Sequence, residues 1–425
     1  MSFADENLQF ICREVLRRIP FTTSVILHGS RATGEVKGED NRDYDVFVVL
    51  KTPLFLFYVK RMKGIEAEAR KRGFKLDISV LPTFRLKYGR GDLSAYFIKA
   101  TGFTIWGRDC LRNCDLGHIW ETIDRSWIQY CIYVMRRLMW GYDPSTGRFD
   151  VDGILKALIV CCRLIVLFVT GEYVVKPKDM LRIIQPYRAS NRLLFGDEAI
   201  NLLEETIEGR SWNESSIFFS VRDIAINTYI SLIRILFGIE DEDLRALTSK
   251  YLRATRRRAF IENLIYASSL FMIRRAVIPR FNPFGPSVFD KFNMATAWLL
   301  MSLREDGSLD SESMHETYKL LSDCVNLPFY KDNVKFWLTL RDVIRRYYHY
   351  ARTGFQFSHC IYTAFSSIIG SSSRGRRKPK AVKYHPALEV IFPNEKDDQE
   401  WRRMSQTQIA YCPINMEHPR SNHND

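Results

Sequence analysis

Two short stretches decide how this chain is read: His28-Gly29-Ser30-Arg31-Ala32-Thr33-Gly34 and, nine residues further on, Asp43-Tyr44-Asp45-Val46-Phe47-Val48-Val49. The first follows Ser24–Leu27, a β-prone run, so Gly29-Ser30 reads as a tight turn at a strand end. The second opens a strand, Tyr44–Leu50, rich in β-branched and aromatic residues and closed by Pro53. Side chains alternate along a strand, so Asp43 and Asp45 share one face while Tyr44 and Val46 take the other. A third segment, Lys75-Leu76-Asp77-Ile78-Ser79-Val80, alternates as well and puts Asp77 with Ser79 opposite its apolar members. If these two strands are neighbours in one sheet, three carboxylates meet on one surface.

Working outward, residues 4–19 carry Leu8, Ile11, Val15, Leu16 and Ile19 at helical spacing, and Pro20 stops that helix. Lys60–Arg72 reads as a charged amphipathic helix ending at Gly73, Phe74–Leu81 as a strand, Asp92–Ala100 as a helix and Phe103–Trp106 as a short strand. Past residue 115 the texture becomes helical: Ile119–Trp140, Gly153–Val169, Asp179–Ile184, Asp197–Glu208, Ile217–Phe237, then a block to about Ile369 broken at Pro279–Pro286. The expected fold class is α+β, a small mixed-sheet domain followed by largely α-helical domains. The expected divisions are 1–115, 116–240, 241–370 and a basic linker with a polar tail over 371–425.

Converging carboxylates hold hard divalent cations, and a glycine turn lets backbone N–H groups approach phosphate. Taken with their order along the chain, HGSRATG, DYDVFVV and KLDISVL resemble the DNA polymerase beta superfamily of nucleotidyltransferases, especially its minimal and aminoglycoside-modifying members. The resemblance covers residues 20–110. Arg42 stands where the family often has Ser, and the twelve-residue loop after Ser30 is slightly long. The resemblance implies Asp43, Asp45 and Asp77 as catalytic metal ligands for two Mg2+ ions, with Mn2+ as a substitute. It implies Gly29 and Ser30 as the cradle of an NTP such as ATP, with Arg31 beside them. A phosphate-binding lysine from the helical domain is also implied, for which Lys176 is the candidate; Glu172 and Glu121 are weaker candidates for a general base. Cys110, Cys114 and His118 are spaced for zinc on a helix but lack a fourth ligand.

Lys and Arg number 62 against 49 Asp and Glu, a formal charge of +13, which suits a polyanionic partner. The excess concentrates between Arg245 and Arg280, where Arg253, Arg256, Arg257 and Arg258 are the candidate nucleic-acid contacts, interleaved with Tyr251, Phe260 and Tyr266. The expected reaction moves a nucleoside monophosphate to an acceptor hydroxyl, foremost an RNA 3′ end. A small-molecule or protein acceptor is the second reading, and a catalytically dead nucleic-acid-binding module the third. Nine unframed cysteines and the absence of an apolar leader in MSFADENLQF suggest an intracellular, cytoplasmic protein that is not embedded in a membrane.

Overall fold

The computed structural model describes residues 5–29, 31–32, 43–51, 58–83, 86, 93–111, 125–170, 173–187, 196–210, 213–239, 243–256, 259–274 and 281–372. Ser30, Glu121, Glu172, Arg257, Arg258, Cys114 and His118 lie outside them.

Helix α1 (Glu6–Arg18) starts at Asp5, whose carboxylate accepts from the N–H groups of Asn7 and Leu8 at 2.9 and 3.2 Å. The other oxygen of Asp5 accepts from the Tyr44 hydroxyl at 2.9 Å, which ties the helix start to a strand start. Strands β1 (Thr22–His28), β2 (Tyr44–Leu50), β3 (Leu76–Pro82) and β4 (Phe103–Gly107) form one sheet in the order β3-β2-β1-β4. β1 runs antiparallel to β2 and β4, while β3 joins the β2 edge in parallel. A parallel pair needs a crossover, and α2 (Val59–Lys71) lies between β2 and β3 in the chain.

The two sheet faces are both apolar. Val25, Leu27, Tyr44, Val46, Val48 and Ile78 pack under α1 and α2. Ile26, Val49 and Leu81 face the opposite way, under Ile98 of α3 (Leu93–Thr101). Asp45 and Asp77 belong to this second face by strand alternation.

The rest is helical: α4 (Arg125–Gly141), α5 (Val151–Thr170), α6 (Pro177–Ile184), α7 (Gly196–Glu208), α8 (Glu214–Phe237), α9 (Leu244–Thr255), α10 (Ala259–Ser269), α11 (Val288–Met301), α12 (Ser311–Ser322) and α13 (Asn333–Ser372). A two-strand turn, Tyr142–Asp143 against Arg148–Phe149, joins α4 to α5. Helix α4 packs on α5, α8 and α11, and one continuous apolar core runs from Trp127 to Phe355 through both of the expected helical regions. The apolar stretch 154–167 is buried in it, with Cys161 and Cys162 as small hydrophobes. Among the described residues one helix, Glu214–Arg234, is long and apolar enough to cross a membrane, and most of it is buried in this core.

Candidate active site

At the end of β1 the chain turns at Gly29, whose φ is +76° and whose carbonyl accepts from the Ala32 N–H at 3.1 Å. A Cβ placed on Gly29 would stand 2.6 Å from Oδ2 of Asp45. The left-handed backbone favours glycine here, and any side chain would also displace the Asp45 carboxylate that lies against its Cα. The turn and the acidic strand form one unit.

The β2–β3 register pairs Asp45 directly with Asp77, and the β1–β2 register pairs Asp45 with His28. Asp43 stands two residues before Asp45, outside the strand end. Asp45 is pushed up from 3.8 to about 6, first by burial, then by Asp77 and Asp43, with Arg137 and Lys156 pulling the other way. Asp77 is also raised, by partial burial and by Glu66 and Asp43, against the opposing charge of Lys63. It stands more open to water than Asp45, so the push on it is more screened. Asp45 and Asp77 thus lie side by side on one face, and Asp43, just before the strand, acts on both through its charge.

Several participants escape a reading by spacing alone. Glu66 of α2 accepts from the Ile78 N–H on the outer edge of β3 at 3.2 Å and from Lys63 Nζ at 2.6 Å. In the sequence it is one more acid in a charged helix. Arg137 of α4 and Lys156 of α5 favour the ionised form of Asp45 through their charge, an influence that the order of residues in the chain does not suggest. His28 stacks on Phe47 at 4.3 Å, meets Phe97 edge-on at 5.6 Å, and is held neutral by burial, its pKa lowered to about 4. Its Nδ1 is buried with no hydrogen-bond partner among the described residues.

Contact between the two halves continues from Phe97 to Tyr173 at 5.5 Å, and Tyr173 shares a hydrogen bond of 3.3 Å with Tyr130 of α4. Arg163 fixes the segment after Tyr173 by donating to the carbonyls of Val174 and Val175 at 3.0 and 2.9 Å. Lys176, at the N-cap of α6, is exposed at the end of that segment. The two helical-region cations acting on Asp45 are instead Arg137 and Lys156. Arg31 lies over the Tyr44 ring at 4.1 Å, and Tyr44 points away from Asp45 by alternation.

Among the described residues no three His, Cys, Asp or Glu side chains stand close enough together to hold a metal ion as placed. The donor set nevertheless suits a hard cation in kind. It is all carboxylate oxygen, and Asp45 feels two like-charged neighbours that a divalent ion would neutralise. Cys110, the first member of the zinc spacing, has its thiol raised by burial and is a poor thiolate.

In the basic stretch, Arg253 and Arg256 are exposed, and Arg256 Nε donates to the Phe284 carbonyl at 2.8 Å. Tyr251 and Tyr266 are fully buried, bonded to Asp290 and to the Cys324 carbonyl, so neither offers a face to a base. Phe260 is exposed and stacks on Phe284 at 4.8 Å.

Residues 9–100 match the family model described as nucleotidyltransferase domain, so this part of the chain is a domain of the nucleotidyltransferase superfamily. Among solved structures, the spectinomycin adenyltransferase AAD(9) from Enterococcus faecialis, determined with ATP and spectinomycin, is similar at 13% identity and a TM-score of 0.37, over 52% of this chain and 98% of that one. No curated protein matches in sequence.

Proposed function

We propose that the chain transfers a nucleoside monophosphate from an NTP to an acceptor hydroxyl, and that the acceptor is a nucleic-acid 3′ end. The observation that carries the transfer reading is the register of β1, β2 and β3, which sets Asp45 beside Asp77 and against the Gly29 turn, with Asp43 raising the pKa of both. In the transfer, the acceptor oxygen bonds to the α-phosphorus, the bond to pyrophosphate breaks, and the hydroxyl proton is released to the medium.

Asp43, Asp45 and Asp77 would hold Mg2+, as two ions, or Mn2+. When bound, such ions neutralise the triphosphate and favour attack by the acceptor hydroxyl. The chain's own groups do the positioning. Gly29 leaves room for the phosphates to approach backbone N–H groups, and Ser30, next in the chain, is the candidate hydroxyl for them. Arg137 and Lys156, whose charges favour the ionised form of Asp45, are candidates to meet the polyphosphate. Lys176 and Arg31 remain further candidates for the outer phosphates. His28, neutral and stacked on Phe47, supplies a rigid apolar floor beside Asp45.

A small-molecule acceptor is the second reading. The test is incubation with each labelled NTP, Mg2+ and either total RNA or aminocyclitol-type alcohols. Label appearing in RNA and lost in Asp45→Asn supports the proposal. Label found only in small molecules moves the acceptor to the second reading, and no label with any acceptor refutes transfer itself.

A further inference from the structure

Helix α10 turns its polar residues inward. Glu262, Asn263, Tyr266 and Ser269 are all buried. Glu262 accepts from the Ser287 hydroxyl at 2.7 Å, and Tyr266 donates to the Cys324 carbonyl at 3.0 Å. Asn263 donates to the carbonyls of Pro283 and Pro286 at 3.1 and 3.2 Å and accepts from the Val288 N–H at 3.0 Å. Helix α13 closes over this side, where a Cβ on Gly354 would stand 2.5 Å from the Glu262 carbonyl oxygen. The opposite side is exposed and apolar. A π-helical turn, Leu270–Arg274, continues α10, and Phe260, Leu264 and Phe271 follow one face at i, i+4 and i+11. They are 37%, 41% and 63% exposed. Met272 beside them and Phe284, stacked on Phe260 at 4.8 Å, are 59% and 63% exposed.

A surface helix in water ordinarily faces the solvent with its charged residues. Residues 259–273 hold one charged side chain, Glu262, and its carboxylate is used inside. Polar groups turned to the protein and apolar ones turned away is the pattern of a helix whose outer neighbour is lipid. Cations gather at the ends. Arg253 and Arg256 are exposed just before α10, and the 2.8 Å bond from Arg256 Nε to the Phe284 carbonyl sets that arginine at the edge of the apolar face. In the sequence Arg257 and Arg258 complete this group, and Arg274, Arg275 and Arg280 follow the apolar run. From Lys250 to Arg280 the sequence has no acid besides Glu262.

We propose that the outward face of α10 rests on an anionic membrane surface, its apolar side chains between the lipids and Arg253 and Arg256 on their phosphates. The helix lies on the bilayer and does not cross it: Ala259–Met272 spans about 21 Å, against the roughly 30 Å of a bilayer core. Apolar burial and basic flanks are the two contributions that hold such a helix at an anionic interface. A second copy fits the face poorly, because basic residues flank the run at both ends and would meet in either orientation of a helix pair. A nucleic acid fits it poorly as well. Leu264 and Met272 offer no ring to a base, Phe260 already stacks on Phe284, and Tyr251 and Tyr266 are in the core. The surface does not depend on the transfer reading.

The test is co-sedimentation of the full chain with vesicles of phosphatidylcholine alone or with about one third phosphatidylglycerol, without NTP or Mg2+. The wild type should bind the anionic vesicles, and less so as salt rises. Phe271→Ser should weaken that binding about 5- to 30-fold, the loss of one phenyl group from the apolar contact, and Leu264→Ser in the same direction. Arg253→Gln should weaken it about 5-fold on anionic vesicles and change nothing on phosphatidylcholine. Phe21→Ser, at a phenylalanine 65% exposed on the catalytic domain, should bind as the wild type does. Circular dichroism checks each fold, and Leu264→Ser carries the test should Phe271→Ser not fold. A wild type that ignores anionic vesicles, or wild-type binding in both serine variants, overturns the proposal. So does a loss of RNA binding, or of a dimer on gel filtration, in those variants of a protein that binds no vesicles. A protein that binds the vesicles through Phe271 and transfers nothing keeps this surface and loses the proposed function. One that labels an acceptor but ignores the vesicles does the reverse.

Discussion

Replacing Asp45 by Asn should stabilise the protein while destroying its activity. Asp45 is raised from 3.8 to about 6 by burial and by Asp77 and Asp43, so its ionised form is disfavoured in the fold. The sign follows from linkage. A carboxyl with a raised folded pKa contributes stability that is full below pH 3.8 and is lost as pH climbs through about 6. At pH 8 the ionised Asp45 therefore costs the metal-free fold up to about 3 kcal/mol at 1.36 kcal/mol per pH unit, and relaxation and water bring the expected figure to about 1–3 kcal/mol. Asparagine keeps the shape and removes the charge. Urea unfolding at pH 8 in chelator should show Asp45→Asn more stable than wild type, with the advantage fading by about pH 4. Added Mg2+ should raise the wild-type midpoint and leave the variant where it was, because only the crowded carboxylates gain from a cation. Nucleotidyl transfer should fall by about 10²–10³-fold or more, the scale of losing one charge-stabilising group. A variant no more stable than wild type at pH 8, or a wild type indifferent to Mg2+, would refute the crowding argument.

Four further outcomes are expected. Asp43→Ala and Asp77→Ala should each abolish transfer while circular dichroism stays native, and full activity in either removes that residue from the site. Gly29→Val should raise the KM for NTP and lower stability by about 1–3 kcal/mol, since the left-handed φ and the 2.6 Å approach to Asp45 leave no place for a side chain; an unchanged KM, also in Ser30→Ala, would show that the turn is not the cradle. Arg137→Gln and Lys156→Gln should each raise the KM for NTP about 10- to 150-fold, as the loss of a charge-assisted contact does, with little effect on a saturating kcat; equal loss in kcat alone would place them elsewhere. His28 should remain neutral in an NMR titration down to about pH 5, its contribution to stability being present above pH 6.5 and lost as pH falls through about 4; titration near 6.5 would mean the stack on Phe47 is open to water.

The strands, the Gly29 turn and the helical character beyond residue 125 were legible in the sequence because each is a local matter. Alternation at Tyr44–Leu50 and at Leu76–Pro82, a glycine after a β-prone run and the periodicity of α5 and α8 are all written within a dozen residues. The two-residue spacing of Asp43 and Asp45 implied a common face, but β2 begins at Tyr44, so alternation fixes the face of Asp45 alone. Which strands are neighbours is not local. Only the tertiary structure placed β1 between β2 and β4, set β3 parallel on the outer edge, and brought Asp77 into register with Asp45. The basic stripe shows the other side of the same limit. Tyr251 and Tyr266 have the composition of a binding face, yet each is buried with its hydroxyl bonded inside, and side-chain direction depends on which helices close over it. Arg137 and Lys156 lie 92 and 111 residues from Asp45 in the chain. Sequence determined the carboxylates and the elements that carry them; long-range packing decided which cations face them, because no residue's periodicity encodes the neighbour it meets across a core.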